Sequence, residues 1–193
     1  MARARRYDPE RRERLVEAAL RVVRRDGIGA VSHRAVAAEA DVPLGSTTYH
    51  FASLDELLVA ALRRMNADLA GELRSRPADA DGLARLLGEW LGGGRSRAER
   101  AYELSLAALR RPALRPVAAA WTEEVVTALA PRAGRSTARA LAALMDGIGL
   151  QTLLTGAPYD EAHAREMFAR ILNEGPKEQA GGSSDAPARP TGT

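Results

Sequence analysis

Apolar residues recur along this chain at spacings of three and four positions, which is the period of one face of an α-helix. In the N-terminal region such a face is formed by Leu15, Ala18, Ala19, Val22 and Val23. We expect this helix to begin at Asp8-Pro9, because proline fits the first turn of a helix. We expect it to end at Asp26-Gly27.

The longest apolar face predicts a helix from Ser53 to about Arg76, ahead of Pro77. Ser53 and Glu56 stand at the spacing of a capping box, in which each side chain accepts a hydrogen bond from the backbone of the other. The apolar positions are Leu54, Leu57, Leu58, Ala61, Leu62, Met65, Leu69 and Leu73. A helix of this length can connect two domains mechanically.

Beyond Pro77 the pattern predicts helices near residues 80–91, 96–110, 113–130, 136–155 and 160–173. The predicted breaks are 92–94, Pro112, Pro116, 131–134 and 156–158. The tail, residues 174–193, has almost no apolar content, so burial cannot offset the entropy of ordering it and we expect disorder. Because aromatic residues make up only 4% and strand-like runs are scarce, the fold class is predicted to be all-α.

Residues 31–58 carry the most specific pattern in the chain. Ser32 can cap a short helix through its side-chain oxygen. Asp41-Val42-Pro43 then ends that helix, because the residue before a proline is pushed out of helical geometry. The next seven residues, 44–50, are small, hydroxyl-bearing and aromatic, with no acidic residue. Two short helices at this spacing indicate a helix-turn-helix whose second helix enters the DNA major groove.

The run Gly45-Ser46-Thr47-Thr48-Tyr49-His50-Phe51, followed by Ala52-Ser53-Leu54-Asp55-Glu56-Leu57-Leu58, resembles the DNA-binding domain of TetR-type transcriptional regulators. The resemblance covers roughly residues 10–65. It implies a three-helix DNA-binding domain over residues 1–52, a connecting helix over 53–76, and a larger ligand-binding and dimerisation domain over 77–173. Two positions differ from the usual family pattern: Thr48 stands in place of Tyr, and Leu54 in place of a phosphate-contacting Lys.

The residues expected to contact DNA are Arg34, Leu44, Gly45, Ser46, Thr48, Tyr49 and His50. Hydroxyl groups can bond phosphates or base edges, and threonine methyls can meet the thymine methyl. The resemblance places Arg34 where the family reaches a guanine or a phosphate. His50 is either a phosphate donor or a capping or core histidine. Thr47 is ambiguous, because the family usually buries an apolar residue there.

The net charge of +3 is unevenly distributed. Residues 1–25 hold nine Arg against four acids, which gives this segment a charge of +5. Such a basic segment beside a helix-turn-helix is the electrostatic footprint of a DNA-binding protein. Arg3, Arg5 and Arg6 are predicted to form a mobile arm that contacts phosphates. The arginines at 21, 24 and 25 either contact DNA or form a solvated helix face.

Composition excludes several classes of function. Without Cys there are no disulfides, thiol nucleophiles or thiolate metal sites. No run of about 18 apolar residues is present, and the Arg-rich N-terminus lacks the apolar stretch of a secretory signal, so we expect a cytoplasmic protein that contacts no membrane. An enzyme would have to use Asp146 with Glu103, or His163 with Asp160 and Glu166. The latter three lie on a polar helix face, so we expect no enzyme activity, no metal and no cofactor.

The last two predicted helices, 136–155 and 160–173, resemble the pair through which TetR-type proteins form homodimers. The alternative is that both pack within the monomer. A single short recognition helix contacts too few base pairs for useful specificity, which favours a dimer that reads two half-sites.

The resemblance also implies a small-molecule pocket in the second domain. Its candidate residues are Trp90, Tyr102, Glu103, Trp121 and Gln151, which could supply apolar walls and a few polar groups. The alternative is that the tryptophans are ordinary core residues and Glu103 a surface carboxylate.

The leading hypothesis is a homodimeric regulator, a repressor rather than an activator, that binds a palindromic double-stranded operator and is released by a small-molecule effector. The connecting helix would carry the allosteric signal. The alternatives are a ligand-independent DNA-binding protein and an activator, which would have the same DNA-binding head.

Overall fold

The computed structural model describes residues 9–92 and 95–174. Within these ranges the chain is helical and contains no strand, which confirms the all-α class. The helices are α1 (Pro9–Asp26), α2 (His33–Glu39), α3 (Leu44–His50), α4 (Leu54–Ser75), α5 (Ala80–Gly92), α6 (Arg95–Ala107), α7 (Arg115–Ala133), α8 (Arg135–Thr155) and α9 (Glu161–Glu174). In the described ranges, no helix is both long enough and apolar enough to span a membrane.

The helix boundaries follow the local signals read from the sequence. Pro9 is the first residue of α1, and Gly27 follows its end with a φ of 80° that favours glycine. The Ser53 hydroxyl caps α4 by accepting from the Glu56 N–H at 3.1 Å. The Glu56 carboxylate accepts from the Ala52 N–H at 2.8 Å, so the reciprocal bond of the capping box falls one residue before the cap.

Three predicted boundaries are shifted by two residues or more. Helix α7 begins at Arg115 instead of 113, and Pro116 lies in its first turn, where proline is tolerated, so it is not a break. Helix α6 ends at Ala107 instead of 110, and a tight turn through residues 108–110 follows it. Helix α7 continues through Pro131 to Ala133 and ends at Gly134, which has a φ of 77°. Only two residues of α7 follow Pro131, so little of the helix depends on the hydrogen bond that proline removes. The predicted N-terminal arm and most of the predicted disordered tail lie outside the described residues.

The N-terminal core, which we call the head core, is not built from the first four helices alone. Helices α1, α2 and the first half of α4 supply most of it, together with Phe51. Helix α6 adds Leu104, the turn after it adds Ala108, and the start of α7 adds Val117. The head is therefore packed directly against elements of the second domain, and α4 is not its sole connection.

A second core lies between α5, α7, α8 and α9. Its fully buried residues include Phe168 of α9, Leu129 of α7 and Leu141 of α8. The C-terminal half of α4 reaches it through Leu73. Helices α4 and α6 both contribute to the two cores, since Ala98 of α6 belongs to the second one.

Replacing Leu104 by Ala is expected to lower the free energy of unfolding by about 2–5 kcal/mol, because it leaves a cavity in the head core. Leu104 is fully buried, whereas Leu109, two residues after the same helix, is 71% exposed. Leu109→Ala is the matched control and should change stability by less than about 0.5 kcal/mol. Urea unfolding followed by circular dichroism measures both values. Equal effects would contradict the packing of α6 into the head.

Candidate DNA-binding face and ligand cavity

The helix-turn-helix is held by short-range hydrogen bonds. The Ser32 hydroxyl accepts from the Ala35 N–H at 3.1 Å and caps α2, as predicted. The turn after α2 passes through Asp41, which has a φ of 51°, a conformation that aspartate tolerates better than most residues. The Val42 N–H then bonds to the Ala37 carbonyl at 3.0 Å, and Pro43 precedes the first turn of α3.

Helix α3 is divided into a buried side and an exposed side. Thr47 is buried, and its hydroxyl donates to the Leu44 carbonyl at 2.8 Å, which resolves the ambiguity at that position in favour of packing. The predicted DNA contacts Leu44, Gly45, Thr48 and Tyr49 are exposed on α3, Arg34 is exposed on α2, and Ser46 and His50 are half-buried on α3. Tyr49 is 50% exposed, and a large aromatic side chain left open beside threonine and glycine is typical of a contact surface.

Arginines of α1 hold the head together through ion pairs and a cation–π contact. Arg21 and Arg25 each donate to the Glu39 carboxylate on α2 at 2.7 Å. These two bonds, with the one from Arg25 the stronger influence, hold the pKa of Glu39 below its usual value. The Arg12 guanidinium lies 4.7 Å from the centre of the Phe51 ring, a cation–π distance. Arg21 and Arg25 therefore position α2 against α1.

A cavity of about 410 Å³ lies in the second domain, within the size range of small-molecule sites. It is enclosed by one face each of α4, α5, α6, α7 and α8. We call it the ligand cavity. Its residues include Met65, Asn66, Leu69, Glu72, Trp90, Tyr102, Ser105, Leu106, Leu109, Trp121, Met145, Asp146 and Leu150. Three of the five predicted pocket residues, Trp90, Tyr102 and Trp121, lie in this lining.

The Tyr102 side chain is fixed in the cavity wall. Its hydroxyl donates to the Asp146 carbonyl at 3.1 Å, and its ring meets the Trp90 ring edge-to-face with centroids 5.3 Å apart. Gly149 makes this packing possible, because a Cβ at that position would fall on the Tyr102 hydroxyl and lie 3.4 Å from Trp90 Cζ3. The buried Trp90 indole N–H has no hydrogen-bond partner among the described residues.

Two carboxylates line the ligand cavity, one with and one without a hydrogen-bond partner among the described residues. Glu72 accepts a hydrogen bond from Arg97. Asp146 lies at the rim with no hydrogen-bond or ion-pair partner for its carboxylate within the described ranges. Desolvation raises the pKa of Asp146, and desolvation together with the Asp146 charge raises the pKa of Tyr102. An open carboxylate beside aromatic rings is suited to a cationic ligand.

The structure places two predicted pocket residues elsewhere. Glu103 points to the head, where its Oε1 accepts from the Ile28 N–H at 2.6 Å. It lies one position after Tyr102, and successive residues of a helix point about 100° apart. Gln151 is exposed on α8 and lies outside the cavity, whereas its neighbour Leu150 lines it.

Several cavity residues were missed by the sequence reading. Met65, Leu69 and Glu72 share one face of α4 at spacings of four and three, which is a detectable signal. The sequence offers Asp146 only as a candidate for an enzyme site. Nothing in its local sequence distinguishes it from a surface aspartate, since its position depends on how α8 packs against α6.

Residues 15–61 match the family described as bacterial regulatory proteins of the tetR family, and residues 74–174 match the one described as the tetracyclin repressor-like C-terminal domain. The chain is similar to the multidrug binding protein EbrR in complex with ethidium, with 59% identity, a TM-score of 0.78, and coverage of 83% of this chain and 98% of EbrR.

A TetR-family structure from Streptomyces coelicolor A3 is 59% identical, covers 84% of this chain and 98% of its own, and has a TM-score of 0.77. The nicotine-responsive transcriptional repressor HdnoR of Paenarthrobacter nicotinovorans is 31% identical over 164 residues, which are 74% of this chain and 83% of HdnoR. These matches extend over both the DNA-binding head and the helices that enclose the ligand cavity. The chain belongs to the TetR family of DNA-binding transcriptional regulators.

Proposed function

We propose that this protein is a homodimeric repressor that binds a palindromic operator and is released from it when an aromatic cation occupies the ligand cavity. The observation that carries the proposal is the cavity itself: aromatic walls, an open carboxylate at the rim, and a helix, α6, shared with the head. A ligand-independent DNA-binding protein would have no use for such a cavity.

The class of effector is supported by chemistry and by relatives. EbrR has been solved with ethidium, proflavin and malachite green, which are flat or propeller-shaped aromatic cations. The rings of Trp90, Tyr102 and Trp121 offer faces or edges to such molecules, and Asp146 offers an unpaired negative charge. A cation over an aromatic ring gains about 0.5–2 kcal/mol, more when water is excluded.

A two-fold symmetric dimer through α8 and α9 is supported by the exposed surface of α8. Ala140 and Ala143 are exposed on α8, so another helix can approach closely there. Leu154, near the end of α8, is 76% exposed and can be covered by a partner helix. Two heads related by the dimer axis would read two half-sites of an inverted repeat.

Coupling between the cavity and the head is supported by three consecutive residues of α6. Tyr102 lines the ligand cavity, Glu103 bonds the backbone that joins α1 to α2, and Leu104 fills the head core. A ligand that prefers one position of α6 therefore acts on the head directly. Helix α4, the connection expected from the sequence, shares this role.

DNA recognition is tested by selecting bound duplexes from a random pool with the purified protein at near-physiological salt. We expect enrichment of an inverted repeat, and we expect Arg34→Ala to bind it more weakly by about 1–3 kcal/mol. Arg132→Ala, at an exposed position near the end of α7, is the control and should leave affinity unchanged. Retained DNA without an enriched repeat would refute the operator-binding dimer.

The cavity is tested by titrating ethidium fluorescence in the absence of DNA. Asp146→Asn should weaken binding about tenfold or more, because it removes a charged partner of the cation. In the wild type, affinity should fall as the pH falls through the raised pKa of Asp146, since protonation removes the negative charge. The variant should lack that pH dependence. Gln151→Ala, on the same helix outside the cavity, should match the wild type; equal loss in both would contradict the assignment.

A further inference from the structure

An ion pair joins a residue of the ligand cavity to a residue of a neighbouring cavity. Arg97 at the start of α6 donates through Nη2 to the Glu72 carboxylate near the end of α4. Glu72 lines the ligand cavity, but Arg97 does not. Arg97 instead lines a second, smaller cavity of about 240 Å³ between α1, α4, α5 and α6, which we call the junction cavity. The pair therefore bridges the two cavities.

The wall between the cavities is thin and apolar. Met65 and Leu69 of α4, Trp90 of α5 and Ala101 of α6 line both cavities. Beside this wall, Glu72 is a second acceptor for a positive charge, in addition to Asp146. In the described structure the Glu72 carboxylate already has a positive partner, the Arg97 guanidinium of the protein itself.

The junction cavity is crowded with positive charge. Arg21 and Arg100 line it together with Arg97, and Arg100 has no carboxylate partner among the described residues. Burial, and then the charges of Arg24 and Arg97, hold the pKa of Arg100 below its usual value. The same lining contains two carboxylates: Asp68, which bonds Arg64, and Glu17 of α1.

We propose that the Arg97 guanidinium pairs with the Glu72 carboxylate until the positive group of the effector takes its place. The loss of this ion pair releases α6 from α4. The inference rests on the proposed function, because it takes an aromatic cation as the effector. It assigns Glu72 and Arg97 a role in both affinity and regulation.

The strength of the pair suits an exchange. The side chains of Arg97 and Glu72 are 35% and 40% exposed, and ion pairs with that much solvent access contribute little net stability. A ligand can therefore displace Arg97 without losing most of its own binding energy. Release frees the end of α6 that lies opposite Glu103 and Leu104, the residues that contact the head.

The test uses malachite green, because ethidium and proflavin intercalate into DNA. Its affinity is measured for the free protein and for the protein on a selected operator, with DNA alone as a blank. Arg97→Gln is expected to bind the dye about two- to fivefold more tightly, since Glu72 no longer has a competing partner. The factor by which the dye weakens operator binding should fall, and the reciprocal titration must give the same factor.

Two further variants make the outcome specific. Glu72→Gln should weaken dye binding, and adding Arg97→Gln to it should give no gain, as a double-mutant cycle requires. Arg100→Gln removes one positive charge from the same cavity without freeing Glu72, so it is the matched control and should keep the wild-type dye affinity and coupling factor.

Equal tightening in Arg97→Gln and Arg100→Gln would overturn the proposal, because a general electrostatic field would then explain the result. So would unchanged affinity in Glu72→Gln, which decides the matter even where Arg97→Gln does not fold. If the wild type binds neither malachite green nor ethidium, the aromatic-cation effector fails and this inference fails with it. If all variants bind the dye and release the operator as the wild type does, only the role of Arg97 is overturned.

Discussion

The structure depends on helix α6 being packed into two cores at once. Leu104 is buried in the head core and Ala98 in the second core, while Tyr102 between them lines the ligand cavity. A helix is stiff over this length, so its two ends cannot adjust independently. Any ligand that moves Tyr102 must therefore either move Leu104 or strain the head, and close-packed cores resist such strain. The hydrogen bond from the Ile28 N–H to Glu103 makes the same connection through the backbone.

On the proposed function, this arrangement would let a small ligand change DNA binding through a small difference in free energy. To shift a two-state equilibrium, the ligand needs only a difference in affinity for the two states, and about 1–3 kcal/mol of coupling changes operator affinity by 5–150-fold. Exchanging the partner of one half-exposed ion pair and repacking one aromatic side chain are events of that size. Arg21 and Arg25 hold α1 against α2, so a displacement of α1 also displaces the helix-turn-helix.

The fold was predictable from the sequence wherever the responsible interactions are local. The caps at Ser32 and Ser53 and the helix end at Gly27 depend on neighbours within four residues, and each was predicted correctly. Glu103 and Asp146 show the limit. Both are acidic residues on amphipathic helices, and only the rotation of α6 directs Glu103 to the head, as only that of α8 brings Asp146 to the cavity rim. That rotation is set by contacts distant in sequence, which periodicity cannot reveal.

The polar groups of the ligand cavity indicate what kind of selectivity it can achieve. The Tyr102 hydroxyl is bound to the Asp146 carbonyl, and the Asn66 amide donates to the Val117 carbonyl at 3.4 Å, so both already have partners. The Trp90 N–H is the exception among these donors. A site that hydrogen-bonds its ligand rejects analogues strongly, whereas one that relies on apolar contact and charge discriminates weakly. The ligand cavity also has the Ser105 and Thr122 hydroxyls in its lining, so it combines both kinds of contact. On the proposed function, its carboxylates and aromatic rings would select for positive charge and aromatic surface.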